Sequence, residues 1–203
     1  MIHGLIFRSF QNFVSLTYGA EVWLRVASNA NLPSADFEAM LNYDASLVPG
    51  LLRAASKELD KPSSTLLEDM GTFLVTHPRM EPMRRLLRFG GSSYDEFLHS
   101  LEDLPGRVRL AVSDVQMPRL VLSDRGANGY DLCCTSPYPF FGLVLVGMLR
   151  ALADDYGALA LVEHRGRIKH DDLIDVTLLE ADFAQARRFD LAAGLRDRRA
   201  GAE

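Results

Sequence analysis

Apolar residues in the first half of the chain recur at helical rather than strand intervals. Between Arg8 and Ser28 they fall at Phe10, Phe13, Val14, Val22, Trp23 and Val26, the spacing of a buried helix face. Tyr18-Gly19 interrupts that run and predicts a break between two short helices. Residues 29–34 read as a loop, because Pro33 restricts Leu32 to extended backbone. A helix is predicted over Ala45 to Leu59, with Pro49 near its first turn, where a missing amide is tolerated. Ser63 or Ser64 caps the next, which runs to about Val75 with Glu68 near its start. His77-Pro78 and Glu81-Pro82 frame a turn before the segment Met83 to Phe89. Gly90-Gly91-Ser92-Ser93 is a stop followed by a start. Ser93 to about Leu104 then reads as a helix burying Phe97, Leu98 and Leu101, terminated by Pro105-Gly106.

Beyond Gly106 the pattern changes. Arg107-Val108-Arg109-Leu110 alternates charged and apolar positions, which predicts a half-buried strand from Arg107 to Val112. Arg119 to Ser123 and Tyr130 to Thr135 read as two further strands around a turn from Asp124 to Gly129. Pro139 to Tyr156 is a long apolar helix closed by Gly157. Leu159 to Glu163 and Leu173 to Leu179 are predicted as final strands joined by a basic turn, Arg165 to Lys169. A helical N-terminal half followed by an antiparallel sheet with one long helix inserted is an α+β domain. It is expected to occupy residues 1–182, leaving 183–203 as an Arg- and Ala-rich tail, helical or disordered.

Composition narrows the functional classes. A chain of 203 residues suffices for one core of ordinary size. Its 22 Lys plus Arg against 27 Asp plus Glu leave a formal charge of −5, the opposite of the basic excess a nucleic-acid binder shows. The longest apolar run, Pro139 to Leu149, stops at Arg150, far below the roughly 20 residues that cross a bilayer. Met1 to Phe7 lacks the cleavage site of a secretory leader. The two cysteines are adjacent, Cys133 and Cys134, so no disulfide framework exists and a cytoplasmic location is expected. A redox switch at the pair is disfavoured, because neighbours on a strand point to opposite faces. No catalysis is expected: nucleophile-elbow, phosphate-loop and paired metal motifs are absent, and Asp154-Asp155 and Asp171-Asp172 fall at a helix end and in a turn.

Several stretches in order resemble the haem–nitric-oxide/oxygen-binding (H-NOX) family, related to the sensor domain of soluble guanylate cyclase. They are Met1-Ile2-His3-Gly4-Leu5-Ile6, Tyr18-Gly19-Ala20-Glu21-Val22-Trp23 and Leu86-Leu87-Arg88-Phe89-Gly90-Gly91-Ser92. Glu96-Phe97-Leu98, Leu101-Glu102-Asp103-Leu104, Arg107-Val108-Arg109-Leu110, Pro118 and Gly147-Met148-Leu149 continue the match. The resemblance implies the H-NOX fold and places the family's iron-binding histidine at Pro105, which has no lone pair to offer a metal. The family's Tyr-x-Ser-x-Arg grip on the haem propionates falls on Cys134, Ser136 and Tyr138, where only the serine remains. A tyrosine hydroxyl cannot neutralise a carboxylate as arginine does. Pro118 matches the proline that presses on the haem, Leu143 aligns near the distal position where oxygen-binding members place a tyrosine, and Ile6 aligns with another residue of the distal wall.

The resemblance thus implies a stand-alone sensor or regulatory protein that has lost histidine-ligated haem. It would act through an alternative pocket ligand, apolar or tetrapyrrole-like, or through a separately encoded kinase or cyclase. The alternative is a haem-binding nitric oxide sensor with a non-family iron ligand, either His99 or Cys134. His99 lies six residues before Pro105, about 240° around a helix from it, and Cys134 aligns at the propionate edge. His164 and His170 flank the basic turn and read as solvated. Arg84, Arg85 and Arg88, like Arg196, Arg198 and Arg199 in the tail, read as surface charge, the first group with the option of facing a partner.

Overall fold

Residues 1–112 and 114–179 are described by a computed structural model of the chain. Helices α1 (Gly4–Thr17) and α2 (Ala20–Asn29) meet at the expected break, where Gly19 turns the chain at φ 108°. α1 starts earlier than its apolar pattern suggests, because the His3 imidazole caps it by accepting the Leu5 amide at 3.2 Å. A two-residue ladder precedes it, with β1 (Ile2–His3) paired to β2 (Asn42–Tyr43), too short to carry a readable period. Then come α3 (Leu47–Leu59) and α4 (Ser63–Thr76), followed by α5 (Glu81–Arg88) after a 3₁₀ turn at Pro78–Met80. α6 (Tyr94–His99) begins at Ser93, whose hydroxyl accepts the Glu96 amide as an N-cap does.

Two expectations are corrected here. Pro105-Gly106 does not end a helix: a 3₁₀ stretch at Ser100–Asp103 leads into α7 (Leu104–Ala111), with Pro105 in its first turn. The strand expected from Arg107 to Val112 is therefore helical. Leu104 and Val108, four residues apart, are both buried, whereas Leu110 is 90% exposed and shares no face with Val108. Arg107 is held by the Ser100 carbonyl at 2.9 Å, so the alternation of charge was a helix surface and not a strand.

The second correction concerns the last hairpin. The sheet has four strands in the order β3-β4-β6-β5, all antiparallel. β3 (Arg119–Gly126) and β4 (Gly129–Thr135) flank Ala127 and Asn128, both in left-handed backbone, inside the span read as a turn. Helix α8 (Phe141–Tyr156) follows, and Gly157 closes it at φ 70°. β5 (Ala160–Ile168) then runs straight through the expected basic turn and joins β6 (Asp171–Leu178) across Lys169-His170. The basic residues are cross-strand partners: Arg167 stands opposite Asp172 and ion-pairs with it, and Arg165 pairs with Asp175.

Two apolar clusters fill the interior. One gathers α1 to α4 around Phe13, Trp23 and Phe37, and the other gathers α6, α7, α8 and the sheet around Tyr94, Leu101 and Leu149. α4 and α8 cross where the clusters meet. A Cβ on Gly71 would overlap the Val144 carbonyl, and one on Gly147 would overlap the backbone of Glu68. Among the described residues no helix is long and apolar enough to cross a membrane.

Candidate functional site

A cavity of about 120 Å³ lies where the two clusters meet. Each bordering helix offers one face, set by residues three or four apart. α1 contributes Leu5, Ile6 and Ser9; α5 contributes Met83 and Leu87; α7 contributes Leu104 and Val108. α8 supplies Phe141, Val144, Leu145 and Met148, Leu74 comes from α4, and the stretch from Val115 to Leu120 closes the wall with Met117 and Pro118. Among the described residues Ser9 is the only polar one in the lining. Three methionine thioethers, at Met83, Met117 and Met148, are the only other heteroatoms that these side chains carry.

Of the residues singled out from the sequence, Ile6 and Pro118 border this cavity. Pro105 instead borders an open surface concavity of about 660 Å³ together with Glu102, Asp103 and Arg109. Val115, Met117, Pro118 and Leu120 border both spaces and form the partition between them. Leu143 packs with the N-terminal cluster, and its neighbours Val144 and Leu145 face the cavity. Ser136 is buried, its hydroxyl accepting the Tyr138 amide at 3.1 Å. Tyr138 stacks on Phe140 with ring centroids 5.7 Å apart and donates its hydroxyl to the Met1 carbonyl at 2.8 Å. That ring therefore anchors the N-terminal strand.

The two named alternative ligands also stand outside the lining. Cys134 is fully buried on the inner face of β4, opposite Asp172. Burial, aided by the Asp172 charge, pushes its thiol up to about 12, so the thiolate a metal requires is disfavoured. Cys133 points to the other face and is half-buried, and both thiols are free. His99 has a side chain 56% exposed and lies edge-on to Tyr130, with Asp95 3.9 Å from its Nε2.

His164 is not solvated as its sequence context suggested. Its Nε2 lies 2.9 Å from Asp172, a carboxylate only 1% exposed that also receives Arg167. Arg167 in turn donates to the Ser136 carbonyl, at 2.5 Å, and so locks β5, β6 and the approach to α8 together. This buried polar cluster was missed because Asp171-Asp172 looked like turn chemistry. The signal was present in the alternation of Asp172, Ile174 and Val176, all buried on one face of β6. His170 is exposed, Arg84 and Arg88 both pair with Asp155, and Arg85 pairs with Glu81. The tail arginines lie outside the described residues.

Comparison with known proteins agrees with this architecture. The haem–NO-binding family matches residues 3–164. The chain belongs to the H-NOX family. An H-NOX protein from S. oneidensis, in an Fe(II) state, superposes with a TM-score of 0.74 at 15% identity, covering 88% of this chain and 97% of that one. An unliganded Fe(II) H-NOX protein from K. algicida gives 0.73 at 19% identity, with coverage of 88% and 97%. Soluble guanylate cyclase 89Db of Drosophila melanogaster is 18% identical over 163 residues, which are 80% of this chain and 24% of that protein. The chain thus spans about a quarter of the length of that relative.

H-NOX domains are sensor domains rather than catalytic ones, so what this cavity can hold is the functional question. Among the described residues that line this cavity, none offers an iron tetrapyrrole an axial ligand. The cavity, at about 120 Å³, is well below the roughly 300–1,000 Å³ that drug-sized ligands occupy. Among the described residues no imidazole, thiolate or carboxylate borders it, and no basic side chain lines it to neutralise a propionate. Among the described residues no group of three or more His, Cys, Asp or Glu is placed to hold a metal ion.

Proposed function

We propose that this chain is a regulatory H-NOX-fold protein that works without histidine-ligated haem, responding to a different cavity ligand and acting on a separate signalling protein, a kinase or cyclase. The observation that carries the reading is the cavity wall, which among the described residues is apolar except for Ser9 and offers iron no imidazole. Pro105, at the position of the family's ligand, offers none either. An effector shifts a conformational equilibrium only through differential affinity for the two states. Without a protein bond to iron, any ligand must act by packing against the helices that surround it.

Two of those helices suit that role. α5 and α7 line the cavity with Met83, Leu87, Leu104 and Val108, and near their C-terminal ends they carry Phe89, 88% exposed, and Leu110, 90% exposed. Exposed at those two ends, Phe89 and Leu110 are the apolar side chains offered to that signalling protein. The paired carboxylates support a non-catalytic role: Asp155 is held by Arg84 and Arg88, Asp171 accepts from the Thr135 hydroxyl at 2.6 Å, and Asp172 is tied to Arg167 and His164.

The test is spectroscopic. Protein purified from haem-supplied cells and passed through gel filtration is expected to show no Soret band. A stoichiometric band that survives that step refutes the reading.

A further inference from the structure

We infer that the cavity between α1, α5, α7 and α8 is a binding site for one small, neutral, hydrocarbon-like molecule of about the size of a single aromatic ring. The inference rests on the haem-free reading above and names the ligand class for it. Size is the first argument. A sealed cavity of about 150 Å³ lined by Leu, Ile and Phe stays dry and takes up benzene or xenon; this one measures about 120 Å³, is partly open, and is lined mainly by Leu, Val and Met. Room for about six to eight non-hydrogen atoms follows.

Chemistry is the second argument. Water in such a space needs two to four polar partners, and among the described lining side chains only Ser9 carries a polar group. A charged ligand would shed its hydration and receive nothing in exchange, so the site selects against ions. An apolar molecule would gain dispersion contacts that the lining atoms otherwise lack. Met83, Met117 and Met148 are unbranched and adaptable, which lets the wall follow ligands of slightly different outline.

Position is the third. The lining draws on both apolar clusters, Leu104 and Val108 from one and Leu74 and Val144 from the other. A molecule seated there touches α7 on one side and α8 on the other, and so favours one spacing between them. That spacing reaches the surface through Phe89 and Leu110.

The experiment uses the full chain with toluene as probe and benzoate as its charged counterpart. Toluene at about ten times its Kd is expected to raise Tm by about 3–6 °C, and benzoate is expected to leave Tm unchanged. Val108→Phe and Leu145→Phe, filling the cavity from opposite walls, are expected to weaken toluene binding at least tenfold. Crystals under xenon pressure provide a second readout that needs no variant, with one xenon atom expected between α7 and α8. Equal toluene shifts in wild type and both variants, benzoate binding as well as toluene, or xenon missing from this cavity would each overturn the inference. A protein that purifies free of haem yet ignores toluene and xenon defeats only the ligand class. A stoichiometric Soret band defeats the underlying reading as well.

Discussion

Proline in the first turn of a helix gives up an amide that has no carbonyl to meet, so Pro105 is compatible with α7 although it removes any donor atom from that position. Restoring an imidazole there tests how much of the difference from haem-binding relatives one residue carries. Residue 105 borders the outer concavity, and the neighbouring cavity of about 120 Å³ keeps its apolar wall in the variant. Pro105→His is therefore expected to fold normally and to show no Soret band when made in haem-supplied cells. Absorption spectroscopy beside circular dichroism checks both halves of that statement. Single residues elsewhere show the same dependence on surroundings. Tyr138 and Cys134 lie in the span matched to the propionate grip, yet one binds the Met1 carbonyl and the other is buried on the inner face of β4.

Between elements, the tightest constraint is the crossing of α4 and α8, where two helix backbones approach without an intervening side chain. Gly147→Ala must push Glu68 away and is expected to destabilise the protein by about 1–3 kcal/mol. Gly106→Ala in α7, where an added Cβ meets nothing within 4 Å, is the matched control and is expected to stabilise by about 0.4–1 kcal/mol. Urea unfolding of both variants reads the contrast directly. Most element types were legible from local pattern, as the break at Gly19, the cap at Ser93 and the apolar run of α8 show. Residues 107–112 were not, since a four-residue alternation fits a strand and a helix surface equally well. Packing of Leu104 and Val108 into the core decided that case. The β5–β6 turn was misplaced for a related reason: a run of basic residues reads as solvent-facing until Asp172 and Asp175 stand across from it.

Over the whole molecule, α5 is tied to the end of α8 by Asp155, whose side chain is 14% exposed and receives both Arg84 and Arg88. Burial alone would raise that carboxyl, but the hydrogen bonds and charges of the two arginines outweigh it and hold its pKa below the ordinary carboxylate value. A folded-state pKa below the unfolded one contributes stability that is complete above the unfolded value and lost as pH falls through the folded one. The contribution therefore begins to fade at about pH 4 and is gone only below the folded-state value. Asp155→Asn is expected to lower stability at pH 7 by about 1–2 kcal/mol. It should also flatten the acid limb of the stability profile, as denaturant unfolding at several pH values would show. Because α5 also lines the cavity through Met83 and Leu87, this tie sets the rest position of one cavity wall.

Periodicity, caps and turn residues were enough to read an α+β chain, and the ordered motifs from Met1 to Leu149 carried its H-NOX resemblance, because these are properties of neighbours in sequence. The same reading named Ile6 and Pro118 for the pocket, since each matches a family position that faces inward. Which other side chains line it, how small it is and where Asp172 goes depended on helix faces brought together from Leu5 to Met148. Burial is a contest among distant segments for the same space. A residue's own neighbours carry no record of which segment wins.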